Sequence, residues 1–476
     1  MTSDLHLLSI AEAGAALRRG TLRSMDLTTA ALARIEALEP RLNAFQLVTR
    51  ERALADAARS DRELSAGRDL GPLHGIPYGL KDIYSTAGIP TTCNSRLLLK
   101  HVPAADAFVQ SKLRAGGAVL LGKLTTHEFA IGGPGLDLPC PPARNPWSPC
   151  HFTGGSSSGC GTALGAGYMR VAFGSDTGGS IRSPAAHCGV VGVKPTYGRV
   201  SRRGVFPLSY SLDHCGPMSW SVSDAALAMS VIAGHDPLDP GSADVPVPDF
   251  SRDLNQGVAS LRLAYARALF TSIAGVSGEV VALMDRAAQS LAKLGADVEE
   301  VELPDFELFK SCARIIMTAE AYAIHEQDLK QRPLEFGRYT YQRIVPAAAL
   351  SAADLIQAQR LRRELTVALQ SKVFARYDAI LTTVALSPAP RLDEFPLDWP
   401  PPSLAVAVQT ALFNVTGHPA MSMPAGFSAS GLPLGMQIAT RAFEEPLMFR
   451  IAAALESAMG VTGVRPPCAD VLAMAS

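Results

Sequence analysis

The sequence predicts an α/β fold in which a large, mostly mixed β-sheet is flanked by helices on both faces. Short apolar segments typical of buried strands, such as Ala118–Leu121 and Ala379–Thr383, alternate with segments of helical periodicity. The 476 residues contain 47% hydrophobic and 18% charged residues, which is typical of a globular chain with a sizeable core. No internal repeat occurs, and Gly234–Val247 is interpreted as an excursion within one domain. We therefore expect a single domain over residues 1–476.

The first predicted layer is helical, over about residues 1–70. Residues 27–37 and 50–64 carry apolar side chains at helical spacing and are rich in Ala, Leu, Arg and Glu. A turn cluster at residues 71–77 precedes a predicted strand, Tyr78–Ile83, with Lys81 near its end. The later elements follow in this order: a helix over 106–115, a strand over 118–121, a helix over 160–167, a strand over 169–173, a helix over 180–187, a helix over 280–294, a strand over 298–301, a helix over 351–376 and a strand over 379–383.

Charge and cysteine usage exclude several classes of protein. A net charge of −1 offers no basic field for a nucleic-acid backbone. The N-terminus lacks the pattern of a signal peptide, and no run of about 18 apolar residues predicts a membrane span. Eight cysteines without a CxxC pair indicate reduced thiols and a cytoplasmic protein. We expect no metal and no cofactor, since His127-Glu128 and His325-Glu326 each lack the second histidine of HExxH.

Two motifs match nucleotide or hydrolase patterns incompletely. Gly117–Lys123 fits GxxxxGK, but Leu124 stands where a P-loop needs Ser or Thr. Gly155–Gly159 fits the GxSxG nucleophile elbow with Ser157 as the nucleophile. The residues before it, PWSPCHFTG, form a poor strand, although His187, His214 and His418 are available as downstream partners. Neither motif is favoured.

The segment from Gly154 to Arg182 contains two glycine-rich loops with serines. Gly178-Gly179-Ser180 lies between a predicted strand and a predicted helix, whose first N–H groups can stabilise an oxyanion. A Ser180 hydroxyl needs a base, and a lysine serves if burial keeps it neutral. Taken alone, a Gly-Gly-Ser is a flexible turn and Lys81 a surface lysine. The combination of Lys81, Ser156 and Ser180 favours a serine hydrolase site.

The chain resembles the amidase signature family in stretches that follow the family order along most of its length: GPLHGIPYGLKD (71–82), TTCNS (91–95), LGKLTTHEFAIGG (121–133), RNPW (144–147), GGSSSG (154–159), GSDTGGSIRSPAAHCGVVGVKPTYGRVSRRG (174–204), SLDHCGPM (211–218), FNVTGHPAMSMPAG (413–426) and GLPLGMQ (431–437). The resemblance implies the amidase signature fold, with a catalytic core over about 71–225 and a substrate-pocket portion over about 226–476.

The resemblance also implies a catalytic set of Lys81, a bridging Ser156 that follows a cis peptide bond, and the nucleophile Ser180. Their separations of 24 and 99 residues agree with the family pattern. The implied oxyanion hole consists of four backbone N–H groups, those of Thr177, Gly178, Gly179 and Ser180. The implied structural supports are Ser157, Asp176 and Arg182. Ser158 replaces a usual glycine, which predicts a slight shift of the loop.

The activity expected from the resemblance is hydrolysis of a small or aryl amide, or a carbamate, by a stand-alone enzyme. The alternatives are the A subunit of a glutamyl-tRNA amidotransferase and, from another class, a non-catalytic binding or assembly relative. The partners we expect are a small-molecule amide substrate and a second copy in a homodimer, with no nucleic acid and no membrane. The substrate pocket is expected to include Ile131, Gly132, Gly133 and Arg362.

Overall fold

The structure is a computed structural model that describes residues 5–395 and 409–467. Within these residues one sheet of eleven strands runs through the molecule in the order β1-β3-β2-β4-β6-β5-β10-β11-β9-β7-β8. The strands are β1 (Phe45–Val48), β2 (Pro77–Lys81), β3 (Val119–Leu124), β4 (Val171–Asp176), β5 (Val191–Lys194), β6 (His214–Ser219), β7 (Arg262–Tyr265), β8 (Asp297–Glu300), β9 (Ala379–Thr383), β10 (Ala420–Phe427) and β11 (Pro433–Thr440).

Helices lie between most of these strands. They are α1 (Ile10–Arg18), α2 (Ser24–Leu42), α3 (Arg50–Ser65), α4 (Phe108–Ala115), α5 (Ser158–Gly165), α6 (Arg182–Cys188), α7 (Val222–Ile232), α8 (Ala268–Thr271), α9 (Gly278–Lys293), α10 (Phe306–Gln331), α11 (Arg338–Ile344), α12 (Ala352–Leu369), α13 (Ala411–Val415) and α14 (Glu445–Met459). Several begin at serine caps; Ser351, for example, accepts a hydrogen bond from Asp354 N and donates its own N–H to the Asp354 carboxylate. None of the helices in the described residues is long and apolar enough to cross a membrane.

The sheet is mixed and is covered on both faces. Strand β2 is parallel to both β3 and β4, whereas β4 and β6 are antiparallel. Successive residues of β3 enter different hydrophobic clusters: Leu120 packs with α4 and α7, and Val119 and Leu121 pack with α2 and α5. Because side chains alternate across a strand, these clusters lie on opposite faces of the sheet. The predicted α/β class with two helical layers is confirmed.

Three elements differ from the sequence predictions. The predicted helical N-terminal layer contains a strand, β1, which pairs antiparallel with β3 at the edge of the sheet. Strand β3 extends beyond Leu121 to Leu124, so the GAVLLGK segment is strand rather than a phosphate-binding loop. The predicted helix over residues 351–376 ends as α-helix at Leu369 and continues as one π-helical turn, Gln370–Phe374.

The sheet order fixes the position of the glycine-rich segment. Strands β2 and β4 are parallel neighbours, so their carboxyl ends lie at the same edge of the sheet. Lys81 is the last residue of β2 and Asp176 is the last residue of β4. The loop after β4 therefore begins close to Lys81, although nearly a hundred residues separate them in the sequence.

Candidate active site

A cavity of about 820 Å³ opens at this edge of the sheet. Its floor includes Ser156 from the first glycine-rich loop and residues 177–180 from the second. Its walls come from the segment Ala130–Pro134, from one face of α10, and from α11 with the turn that follows it. The sheet edge thus holds both serine-bearing loops in one cavity of a size that suits a small molecule.

Lys81 lies beneath the floor of this cavity and is fully buried. Its Nζ donates hydrogen bonds to Ser156 Oγ at 2.8 Å and to Ser175 Oγ at 2.9 Å. Burial disfavours the ammonium form and lowers the pKa of Lys81 to about 8. A substantial fraction of the side chain is therefore neutral amine in weakly alkaline solution, and this amine has a lone pair that can accept a proton.

The first glycine-rich loop holds Ser156 against the second. The Gly155–Ser156 peptide bond is cis, as the resemblance implied. The ring of His127 packs against Gly155, where an added Cβ would lie 2.1 Å from His127 Cε1, so a larger residue would not fit. Ser157 N donates to the carbonyl of Ser180 at 3.1 Å, which ties the two serine loops together.

Ser157 is not placed to act as a nucleophile. Its side chain is fully buried and does not line the cavity. Its Oγ donates to the carbonyl of Ser175 at 3.2 Å and accepts from Ser175 N at 3.3 Å. The nucleophile-elbow interpretation of GxSxG therefore has no support, and the contacts of Ser157 are structural.

Ser158 does not displace the loop, contrary to the expectation from its replacement of glycine. It is the first residue of α5, where the helical φ is open to any L-residue. Its Oγ donates to the carbonyl of Thr125 at 3.3 Å. The substitution is accommodated because this position needs no positive φ.

A buried ion pair supports the second loop. The Asp176 carboxylate accepts hydrogen bonds from the backbone N–H groups of Gly179 at 2.8 Å and Ile181 at 3.1 Å. Arg182 Nη2 lies 2.9 Å from Asp176 Oδ1, and both side chains are fully buried. Burial opposes ionisation of Asp176, but the guanidinium and its hydrogen bonds outweigh it and hold the pKa of this carboxyl below its usual range. The pair stays charged and fixes the loop.

Arg182 also connects this loop to the C-terminal part of the chain. Its Nη1 donates to Gln437 Oε1 on β11 and to the carbonyl of Thr410, both at 3.0 Å. Its Nη2 donates to Asn414 Oδ1 on α13 at 2.6 Å. The guanidinium therefore joins three separate segments of sequence behind residues 177–180.

The backbone N–H groups implied as an oxyanion hole are not equivalent. Gly179 N–H already donates to Asp176, which corrects its predicted role. Within the described part of the chain, the N–H groups of Thr177, Gly178 and Ser180 have no hydrogen-bond acceptor. The loop therefore offers three free donors beside the cavity, and Gly179 supplies the backbone conformation, with a φ of 125°.

The predicted substrate-binding residues divide into two groups. Ile131, Gly132 and Gly133 line the cavity as expected. Arg362 does not: its Nε donates to the carbonyl of Val415 at 2.7 Å, and its Nη2 donates to that of Ser211 at 3.0 Å. Placing Arg362 in the substrate pocket was therefore wrong, because its guanidinium satisfies backbone carbonyls behind the wall.

Two residues beside the site were missed in the sequence. Ser175 lies one residue before Asp176 in the GSDTGGS motif and accepts the second hydrogen bond of Lys81. Thr410 Oγ1 donates to the carbonyl of Gly178 at 2.5 Å and packs against Gly179. Ser175 could have been found from the alternation of β4, but nothing in the sequence places Thr410 beside a loop more than two hundred residues away.

The fold and the residues around the cavity are those of hydrolases that act on carbon–nitrogen bonds. The model of the Amidase family matches residues 26–449, and the chain belongs to this family. Among curated relatives, the A chain of the glutamyl-tRNA(Gln) amidotransferase of Geobacter metallireducens is 40% identical over 481 residues, which cover 96% of this chain and 98% of that protein.

Solved structures agree with this assignment. An s-triazine catabolic enzyme, described in a vestigial protein complex, superposes with a TM-score of 0.89 and 33% identity, covering 97% of this chain and 100% of that one. A bacterial aryl acylamidase of the amidase signature family gives a TM-score of 0.87 and 27% identity, covering 97% of this chain and 99% of that one. The amidase signature fold extends over nearly the whole chain.

Proposed function

We propose that this protein is an amidase that hydrolyses the C–N bond of a small or aryl amide, or of a related carbamate, through an acyl-enzyme on Ser180. One observation carries the proposal: the buried amine of Lys81 lies 2.8 Å from Ser156 Oγ, in the floor of the cavity that Ser180 also lines. A base, a relay hydroxyl and a nucleophilic hydroxyl are the groups that acyl transfer to serine requires.

In the proposed reaction, neutral Lys81 accepts a proton from Ser156 while Ser156 accepts one from Ser180. Ser180 Oγ then attacks the substrate carbonyl carbon, and the N–H groups of Thr177, Gly178 and Ser180 stabilise the oxyanion that forms. Ser156 returns a proton to the leaving nitrogen as the C–N bond breaks, which leaves an ester on Ser180. Water, deprotonated by the same relay, attacks this ester and releases the acid.

The activity is expected to rise with pH up to about 8. The base works only as the neutral amine, and the pKa of Lys81 is lowered by burial to about 8. Below this pH, kcat/KM is expected to fall about tenfold per pH unit, and above it to level off. A pH–rate profile with one amide between pH 6 and 10 measures this. A profile that is already flat at pH 6 would contradict a lysine base, provided that circular dichroism shows a folded protein throughout.

The substrate class is tested with a panel of amides, esters, carbamates and glutamine. The wild type is expected to hydrolyse at least one amide other than glutamine. Ser180→Ala is expected to lose at least about a thousandfold in kcat on it, because the nucleophile is gone. Ser183→Ala, which removes another hydroxyl of the same cavity wall, is the matched control and should retain activity. Labelling of Ser180 by a fluorophosphonate would exclude the non-catalytic alternative.

The second candidate is the A subunit of a glutamyl-tRNA amidotransferase. The 40% identity to a protein of that name over 96% of the chain favours it. This candidate predicts glutamine as the only substrate turned over and co-purification with partner subunits from the native cell. A glutaminase-only profile would replace the proposal of a stand-alone amidase.

A further inference from the structure

The charged side chains that line the cavity are unbalanced. They comprise three cations, Lys310, Arg314 and Arg343, and one carboxylate, Glu307. Lys310 Nζ lies 3.1 Å from Glu307 Oε1, so these two neutralise each other. His127 adds no charge, since burial lowers the pKa of its ring to about 3. The wall of the cavity that faces the serines therefore carries the charge of two arginines.

Arg314 belongs to the face of α10 that lines the cavity. Glu307, Lys310, Arg314 and Thr318 recur at helical spacing and all contribute to this wall. Lys310 is paired with Glu307, whereas no carboxylate within residues 5–395 and 409–467 lies within ion-pair distance of Arg314. Its guanidinium is exposed to the cavity, where it can bind an incoming group.

Arg343 approaches from the opposite wall and is held in place. Its Nη1 donates to the carbonyl of Gly132 at 2.8 Å, which links α11 to the segment predicted to line the substrate pocket. Its desolvation and, to a smaller extent, the like charge of Arg314 lower its pKa to about 10, so it remains a cation at neutral pH. Two guanidinium groups thus repel each other across a cavity that contains Ser180.

We propose that the substrate amide carries a carboxylate at its non-reacting end and that Arg314, with Arg343, binds this carboxylate. The planar guanidinium matches a carboxylate with two parallel hydrogen bonds, and an anion between two like charges removes their repulsion. This inference rests on the proposed amidase function and specifies its substrate class. It also assigns a specificity role to Arg314, which replaces Arg362 as the arginine of the pocket.

The test compares two compounds that differ only at the far end, succinamate with a carboxylate and succinamide with a carboxamide. Each is added as a competitor while Ser180 is labelled by a neutral fluorophosphonate, and protection is expressed relative to the uncompeted rate of the same variant. Succinamate is expected to protect at least about tenfold better than succinamide, because a hydrogen-bonded charge pair is worth more than a neutral contact. The advantage should shrink with added salt.

The variants separate a carboxylate site from a general change in the cavity. Arg314→Gln is expected to weaken protection by succinamate about tenfold and to leave protection by succinamide unchanged. Glu307→Gln removes the acid of the lining and should strengthen protection by succinamate. Arg363→Gln, on the exposed face of α12 and outside the cavity, is the matched arginine control and should behave as the wild type.

Three results would overturn the inference: equal protection by the two compounds, protection by neither, or an equal loss of both in Arg314→Gln. In each of these, labelling of Ser180 itself would still support the proposed function. Failure of the fluorophosphonate to label Ser180 in the folded wild type would instead contradict the amidase mechanism.

Discussion

Replacing Lys81 with alanine is expected to reduce amide hydrolysis near neutral pH by at least about a thousandfold. A positioned general base contributes about 10²- to 10⁴-fold, and no other base contacts the Ser156 hydroxyl in the described residues. His127 contacts Ser156 only between backbone N–H and carbonyl, and burial of the His127 ring lowers its pKa to about 3, so it is not a strong base. The loss should appear in kcat, measured on the best amide of the panel.

The control for Lys81→Ala must separate catalysis from packing. Truncation of a fully buried lysine leaves a cavity, which by itself destabilises the protein. Lys81→Met keeps most of the volume and removes the amine, so it should be as inactive as the alanine variant while unfolding closer to the wild type. If either variant keeps most of the amidase activity at neutral pH, Lys81 is not the base.

Burial explains which parts of the fold were predictable. Strands β2, β3 and β4 are buried along their whole length, so they appear in the sequence as apolar runs and were found. Strand β1, Phe45–Val48, is a four-residue edge strand with half-buried side chains, and its short sequence between two helices has no clear period. Its state is set by pairing with β3, which no local pattern reveals.

The candidate site divides in the same way. Lys81, Ser156 and Ser180 were found because the glycine loops and their spacing are local signals, and the structure brings all three to one region. The roles of the arginines could not be assigned from sequence. Arg362 and Arg314 both lie on long helices with charged neighbours, yet one guanidinium binds backbone carbonyls and the other faces the cavity. Only tertiary packing distinguishes them.

Removal of Arg182 is expected to destabilise the protein more than any exposed charge change. Arg182→Met leaves the fully buried carboxylate of Asp176 without its cation, and breaking such a pair typically costs about 3–5 kcal/mol. Chemical denaturation followed by circular dichroism measures the loss in free energy of unfolding. Arg332→Met, which breaks an exposed pair with Asp328 on α10, should cost less than about 1 kcal/mol.

The double variant Asp176→Asn/Arg182→Met shows whether the cost comes from the unpaired carboxylate. If it does, the double variant should be more stable than Arg182→Met alone, since no buried charge remains without a partner. Its amidase activity should nevertheless stay low, because the hydrogen bonds from Gly179 and Ile181 to the Asp176 carboxylate hold residues 177–180 in place. Arg182→Met that unfolds like the wild type would contradict this account. Recovery of stability without activity would locate the function of the pair in the geometry of the loop.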